Sequence, residues 1–180
     1  AEHPEEARRA AEAIRVTFDP AQLAWLRHGG INAICHVRGG GVHGREWYEA
    51  GRGATKPNTW KDGIACAEYL IAAGYTRPAR LAIYGGSAGG IFAGRAITER
   101  PDLFAAAVIQ VGALDMVRSE TTATGSQNTA EFGTVKDEAG FRALLGFRLG
   151  RRRISERRLT RLAFAIAGRY GERTDRASGG

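Results

Sequence analysis

Apolar and polar positions alternate along the middle of the chain in a pattern that predicts strands and helices in turn. Mostly apolar runs at 31–37, 80–84 and 105–111 predict buried strands, because each run is short and ends at glycine or charged residues. Apolar side chains recur at helical spacing over 59–74, and a second helix is predicted over 91–99. Strands that alternate with helices in this order predict a parallel sheet with helices on both faces, which is an α/β fold.

The segments around this core are predicted to be peripheral. Residues 1–14 have the composition of a surface helix, and a short helix is predicted after Asp19, closed by Gly29 and Gly30. Residues 42–58 are polar, aromatic and glycine-containing, so they are predicted to form a surface loop.

The second predicted strand runs directly into a G-x-S-x-G turn made by Gly85, Ser87 and Gly89. A serine on a sharp strand-to-helix turn has strained backbone angles, so the residues two before and two after it are expected to lack side chains. Such a turn holds the Ser87 hydroxyl clear of the sheet as a nucleophile. It also aims the Ala88 backbone N–H, at the positive end of the helix, towards the place where an oxyanion would form.

Glycine-rich turns between strand and helix also bind phosphate groups, so a nucleotide loop is the alternative. The GGSAGG turn is not followed by Lys-Ser or Lys-Thr and does not fit G-x-G-x-x-G, so no nucleotide cofactor is predicted. Cys35 and Cys66 lie in apolar segments, without C-x-x-C spacing and without nearby histidine pairs. They are predicted to be buried free thiols, and no metal site is predicted.

Length and charge add a division of the chain. The 180 residues, 43% of them hydrophobic, predict one domain, and the net charge of +7 is unevenly distributed. Residues 1–146 are neutral, whereas 147–180 contain ten arginines and three acidic residues. There is no run of 18 apolar residues and the first residues are polar and acidic, so neither a membrane span nor a signal peptide is predicted, and we expect a cytoplasmic protein.

Two charged residues outside the turn are predicted to be structural. Arg38 is expected to pair with Glu46 and so to hold the loop at Gly39, while Asp102 is expected to shape the turn after the second helix.

Four segments carry a resemblance to a known family. They are RGGGVHGREWYEAGR, KPNTWKDGIACAEYLIAAGYT, RLAIYGGSAGGIFAGRAITERPDLFAAAVIQVGALDM and EFGTVKDEAGFRALL. In this order and spacing they resemble the catalytic domain of the prolyl oligopeptidase family of serine peptidases, over about residues 18–145. The resemblance implies a partial α/β-hydrolase fold over 1–146, incomplete at both ends, with short peptides as substrates and no cofactor. It also implies Ser87 as the nucleophile and Ala88 as an oxyanion donor, although many relatives have Asn in place of the alanine.

The remaining catalytic groups of this fold follow the serine, in the order acid and then histidine. All four histidines, at positions 3, 28, 36 and 43, precede Ser87, and no later acidic residue matches the family's acid. We therefore expect a truncated and inactive serine peptidase. His43, which follows the glycine loop, is the alternative base, whereas His36 is interpreted as a core or edge histidine.

The tail at 147–180 shows no resemblance to the family and has two interpretations. The first is a truncated or out-of-frame reading of a longer gene. The second is a non-catalytic hydrolase-like core with a genuine basic tail, in which Leu159, Leu162 and Ile166 share one helical face and the arginines bind nucleic acid or an anionic surface. The first interpretation is favoured, so nucleic acid is not an expected partner of the core.

Overall fold

The computed structural model of the 180-residue chain describes residues 28–122, 125–147 and the strand residues 164–165. Its sheet has the strand order β1–β2–β3, with both pairs parallel; the strands are β1 (Ala82–Gly86), β2 (Ala106–Gln110) and β3 (Phe164–Ala165). The helices are α1 (Arg45–Glu49), α2 (Pro57–Ala72), α3 (Gly89–Glu99), α4 (Met116–Ser119), α5 (Thr129–Phe132) and α6 (Glu138–Phe147), with single 3₁₀ turns at Gly53–Thr55, Pro78–Arg80 and Gly125–Asn128. The predicted parallel α/β arrangement is confirmed.

Helix α2 begins two residues earlier than predicted because Pro57 stands at its first position, where a missing N–H costs no hydrogen bond. Trp60, Cys66 and Leu70 lie on its buried side. Gly74 follows the helix with φ of +79°, a left-handed conformation that ends it as predicted.

Helix α3 packs on β1 and β2 and forms the main core with them. The buried residues of this core are Ala67, Ile83, Ala93, Ala96, Ile97, Leu103, Phe104, Ala107 and Ile109. The opposite face of the sheet is open, since Tyr84 is 63% exposed and Val108 is 37% exposed. Among the described residues the helices therefore cover one face of the sheet, and not both faces as was predicted for the fold. On the open face the Tyr84 hydroxyl donates to Gln110 Oε1 at 2.7 Å.

A second core joins α4, α5 and α6 to the first two long helices. Its buried residues are Trp60, Ile91, Met116, Phe132, Leu144 and Phe147. The Trp60 and Phe147 rings meet edge to face at 6.3 Å, and Trp60 Nε1 donates to Glu99 at 2.8 Å. The region after β2 is thus a packed layer of short helices, none of which the sequence pattern predicted.

Two predicted elements differ from the structure. Residues 31–37 form no strand, and Ile31 is 68% exposed. The described sheet has no neighbouring strand for this run, and the Val37 N–H instead donates to the Cys35 carbonyl, which is a local turn. The predicted loop at 42–58 contains α1, in which Arg45 and Glu49 pair one helical turn apart at 2.8 Å.

The cysteines are not free thiols, and that prediction is wrong. Cys35 and Cys66 form a disulfide with their Cα atoms 6.4 Å apart. Cys66 is fully buried in α2 and Cys35 is partly buried, so the bond joins the segment containing Cys35 to the buried side of the helix.

The ends of the chain carry predictions that the structure does not reach. The predicted helices before residue 28 and the apolar face of Leu159, Leu162 and Ile166 lie outside the described residues, although Gly29 does show the left-handed φ of +78° expected of a helix end. Of the helices that are described, none is long and apolar enough to cross a membrane.

Candidate active site

The turn at Ser87 joins the carboxyl end of β1 to the first residue of α3. Ser87 has φ of +51°, in the left-handed region that L-residues rarely adopt, and it is exposed. The strained, outward-facing serine that the G-x-S-x-G pattern predicted is therefore present at the edge of a parallel sheet where ligands of open α/β folds bind.

The two outer glycines of the pattern have different reasons to be glycine. A Cβ on Gly85 would lie 2.0 Å from the carbonyl oxygen of Gly89, so no side chain fits there. A Cβ on Gly89 would meet nothing within 4 Å. The expectation that both positions exclude side chains is thus correct for Gly85 and wrong for Gly89. A side chain on Gly85 would point at the backbone of Gly89, whereas a side chain on Gly89 would point into open space.

The end of β2 fixes the backbone of the serine. The Ser87 N–H donates to the Gln110 carbonyl at 2.9 Å, and the Ala113 N–H donates to the Ser87 carbonyl at 3.0 Å. Between these two bonds, Val111 has φ of +45°, an unusual conformation for a β-branched residue, and Gly112 lies so close to α3 that a Cβ on Gly90 would be 2.5 Å from its Cα. Sequence reasoning missed this segment, for which the only signal was a glycine directly after a strand.

Ala88 is the N-cap of α3 and is half-buried. The first N–H groups of a helix have no intrahelical carbonyl partner, and no side chain caps this helix. Together with the partial positive charge at a helix N-terminus, this makes the Ala88 N–H suited to an anionic oxygen next to Ser87.

Neither histidine of the glycine-loop region is hydrogen-bonded to Ser87 among the described residues. The His43 ring contacts the Trp47 ring edge to face at 5.0 Å, and its centroid lies 6.4 Å from that of His36. His36 Nε2 is buried without a hydrogen-bond partner in this part of the chain, so His36 is a partly buried residue of the loop and not of a strand.

Three acidic residues in the described part of the chain after the turn have structural partners. Glu131 pairs with the buried Lys56 at 2.8 Å, and Asp137 accepts a hydrogen bond from the Gly140 N–H at 2.7 Å. Asp115 lies 3.7 Å from Arg118 one helical turn away. None of these contacts is with Ser87, and the expectation that no later acid matches the family's catalytic acid stays a prediction. No group of three or more potential metal ligands occurs among the residues described.

The loop before α1 is attached to α2 through Asp62 and not through Glu46, so the predicted partner of Arg38 is corrected. Arg38 donates to Asp62 from Nη2 at 2.6 Å and from its backbone N–H at 2.9 Å. Thr59 adds a hydrogen bond from Oγ1 to the Arg38 carbonyl at 2.8 Å. Arg38 pairs with Asp62 because the loop that contains Arg38 packs on α2, the helix to which Asp62 belongs.

The turn after α3 has the structure predicted for it. Asp102 accepts hydrogen bonds from Nε of Arg100 at 3.0 Å and from its Nη2 at 2.8 Å, and Arg100 also binds Glu68. These hydrogen bonds, first that to Asp102 and then that to Glu68, raise the pKa of Arg100 above its already high value. Asp102 is therefore a turn residue, and Arg100, at the end of α3, connects that helix to α2 through Glu68.

A further carboxylate that the sequence did not single out is Glu120, at the end of α4. It accepts from the Val135 N–H at 2.9 Å and from Thr134 Oγ1 at 2.8 Å, and Lys136 Nζ lies 3.4 Å away. The bond from the Val135 backbone, followed by those from Thr134 and Lys136, lowers the pKa of Glu120. Glu120 thus holds the turn before α6 in place.

A parallel strand that ends in a strained serine turn and continues into a helix defines the class of the protein: it is an α/β hydrolase, of which the described residues contain part. The family model of the prolyl oligopeptidase family matches residues 16–148. The chain belongs to the prolyl oligopeptidase family, and the resemblance predicted for about residues 18–145 is confirmed.

Individual relatives agree with this assignment. The chain is 38% identical over 124 residues to the prolyl endopeptidase of Elizabethkingia meningoseptica. The aligned region covers 69% of this chain and 18% of that protein. It is 43% identical to a prolyl endopeptidase of solved structure, with a TM-score of 0.71 over 74% of this chain and 20% of that one. Oligopeptidase B from Trypanosoma brucei, solved with covalently bound antipain, is 40% identical with a TM-score of 0.60 over 64% of this chain and 17% of its own. The chain spans about a fifth of the length of the curated relatives that it matches first.

Proposed function

We propose that this chain carries the nucleophile of a serine peptidase acting on short peptides, with Ser87 as the nucleophile and the Ala88 N–H as an oxyanion donor. The observation that supports the proposal is the exposed Ser87 with φ of +51°, placed between a parallel strand and the uncapped N-terminus of α3. Peptide substrates are proposed because the relatives are prolyl endopeptidases and oligopeptidases.

In this reaction the Ser87 oxygen forms a bond to the carbonyl carbon of the substrate, and its proton passes to a base. The developing negative charge on the carbonyl oxygen is stabilised by the Ala88 N–H. The acyl group stays on the serine as the amine leaves with the proton, and water then releases the acid. The chain's own contribution is thus attack and oxyanion stabilisation.

We further propose that the 180-residue polypeptide does not catalyse this reaction by itself. No histidine follows Ser87, and neither His36 nor His43 is hydrogen-bonded to it among the described residues. A serine hydroxyl without a base stays protonated at neutral pH, and removal of triad members lowers turnover on the order of 10⁴ to 10⁶-fold.

Labelling with a fluorophosphonate probe tests both proposals. We expect the 180-residue chain to show no labelling above that of its Ser87→Ala variant. We expect a full-length relative with the same G-x-S-x-G turn to be labelled and to lose labelling when its serine is replaced by alanine. Labelling of this chain at Ser87 that disappeared in the His43→Ala variant would identify His43, the alternative base, as the group that activates the serine and would refute the inactivity proposal. A full-length relative labelled equally with and without its serine would refute the assignment of the nucleophile.

A second candidate function follows from charge alone. Residues 147–180 contain ten arginines against three acidic residues, which favours binding to nucleic acid or another polyanion. Retention on heparin should then fall steeply with salt and be lost when 147–180 is deleted. Retention that is weak, or unchanged by the deletion, would refute this candidate.

A further inference from the structure

The strongest feature that the proposed reaction leaves unused is the disulfide between Cys35 and Cys66. Cys35 lies in the irregular segment 30–37, whose own backbone hydrogen bonds are local, such as that from the Val37 N–H to the Cys35 carbonyl. Cys66 is fully buried in α2. The bond therefore joins a segment with little secondary structure of its own to one of the most buried positions of the fold.

The disulfide stands beside polar attachments on the same side of α2, where Thr59 and Asp62 both bind Arg38. Asp62, which binds Arg38, stands four residues before Cys66, so the two side chains lie one helical turn apart on one face. On the loop, the attached residues are Cys35 and Arg38. The polar attachments hold the end of the segment nearest the glycine loop, and the disulfide holds its centre.

The helix that receives these attachments packs against the helix that follows Ser87. Gly63 of α2 lies against Phe92 of α3 so closely that a Cβ would be 1.9 Å from the ring, and Trp60 Nε1 donates to Glu99. These contacts hold the α2–α3 pair independently of the disulfide. Loss of the disulfide should consequently loosen the loop and leave the pair of helices packed.

We propose that the Cys35–Cys66 disulfide is a redox-sensitive anchor that sets the mobility of residues 30–37. Cys35 is a partly exposed residue and Cys66 is fully buried, so a reductant approaches the bond from the Cys35 side. One thiolate of a dithiol reductant attacks the Cys35 sulfur and forms a mixed disulfide with it. The Cys35–Cys66 bond breaks, and Cys66 leaves as a thiolate that takes up a proton. The second thiol of the reductant then closes onto the mixed disulfide, freeing Cys35 and leaving the reductant as a cyclic disulfide. In the reverse direction, one small-molecule disulfide oxidises the two thiols and is released as two thiols.

The compartment decides which state of the anchor is populated. Disulfides persist in oxidising environments and are reduced in the cytosol. In the cytoplasm, the compartment expected from the sequence, the disulfide would be reduced and residues 30–37 released. Under oxidative conditions the disulfide would form and hold this segment.

Hydrogen exchange measured by mass spectrometry on the 180-residue chain tests the proposal. The chain is oxidised with glutathione disulfide, and a matched sample is reduced with dithiothreitol; intact mass after thiol alkylation gives the number of free cysteines. We expect no free cysteine in the first sample and two in the second. Peptides covering 30–37 should exchange about tenfold faster after reduction, while peptides covering 89–99 should change less than about twofold, because only the loop is released.

The Cys35→Ser variant is the matched control, and its 30–37 peptides should exchange at the fast rate with or without reductant. Two free thiols after oxidation would overturn the proposal. Equal exchange of 30–37 in both samples would overturn it too, because the Arg38–Asp62 attachment would then suffice. Equal acceleration of 30–37 and 89–99 would also overturn it, since the bond would then support the whole fold and not the loop. These outcomes are independent of Ser87 reactivity.

Discussion

Replacing either outer glycine of the G-x-S-x-G turn by alanine adds one methyl group, but we expect the two substitutions to change the free energy of unfolding in opposite directions. In the Gly85→Ala variant the new methyl group would lie 2.0 Å from the Gly89 carbonyl oxygen and 2.6 Å from its carbon. Both atoms are backbone, so β1 and α3 would have to move apart beside Ala93 of the main core. Overpacking of a core costs about 1–3 kcal/mol, and contact with backbone places this variant at the upper end, near 3 kcal/mol.

The matched variant is Gly89→Ala. Its methyl group would meet nothing within 4 Å, and Gly89 has no left-handed φ to lose. Because alanine restricts the unfolded chain more than glycine does and favours helix, we expect a gain of a few tenths to about 1 kcal/mol.

Urea unfolding followed by far-UV circular dichroism measures the difference. With a slope of about 2 kcal/mol per molar urea, Gly85→Ala should lower the midpoint by about 1.5 M, while Gly89→Ala should leave it unchanged or raise it by up to about 0.5 M. Equal destabilisation by the two variants would refute the argument that β1 alone needs the space. So would a Gly85→Ala protein as stable as the parent.

Two further variants test charged groups away from the turn. Asp62→Asn leaves the half-buried Arg38 without its carboxylate and should lower the free energy of unfolding in urea by about 2–3 kcal/mol. Glu49→Gln removes an exposed ion pair and should lower it by less than about 0.5 kcal/mol. Similar losses in the two variants would show that burial does not set the strength of these pairs. The Val135 N–H lowers the pKa of Glu120, so this carboxylate stabilises the fold above its unfolded pKa and that contribution is lost as pH falls through the lower, folded pKa. The stability difference between the parent and Glu120→Gln should therefore be full at neutral pH and shrink in acid, and a difference that stays constant from neutral pH into acid would contradict the assignment.

Elements with a strong local signal were predicted well. Gly74 marks the end of α2 by its own backbone preference, and Gly85 marks the serine turn. These residues act through φ angles and the absence of a side chain, which depend little on the rest of the fold. The strands β1 and β2 were found from their short apolar runs, within two residues of their observed bounds.

Features that depend on distant partners were not predicted. Arg38 had several acidic residues within reach along the sequence, and only the packing of the loop on α2 selects Asp62. The run at 31–37 is apolar enough for a strand but has no neighbouring strand in the described sheet. The short helices α4 and α5 each have four residues, too few for a periodic pattern, and they are held by Met116 and Phe132 in the second core.

The hydrogen bonds between the serine and the end of β2 have a consequence for the order in which the chain folds. Ser87 takes its backbone partners from Gln110 and Ala113, roughly two dozen residues later in the chain. A loop of that length must close before the serine is held, so the turn has the character of a non-local contact despite its local sequence motif. During synthesis, a nascent chain that has emerged only as far as α3 already contains the whole G-x-S-x-G motif, yet it acquires a fixed serine only when β2 has followed and paired with β1.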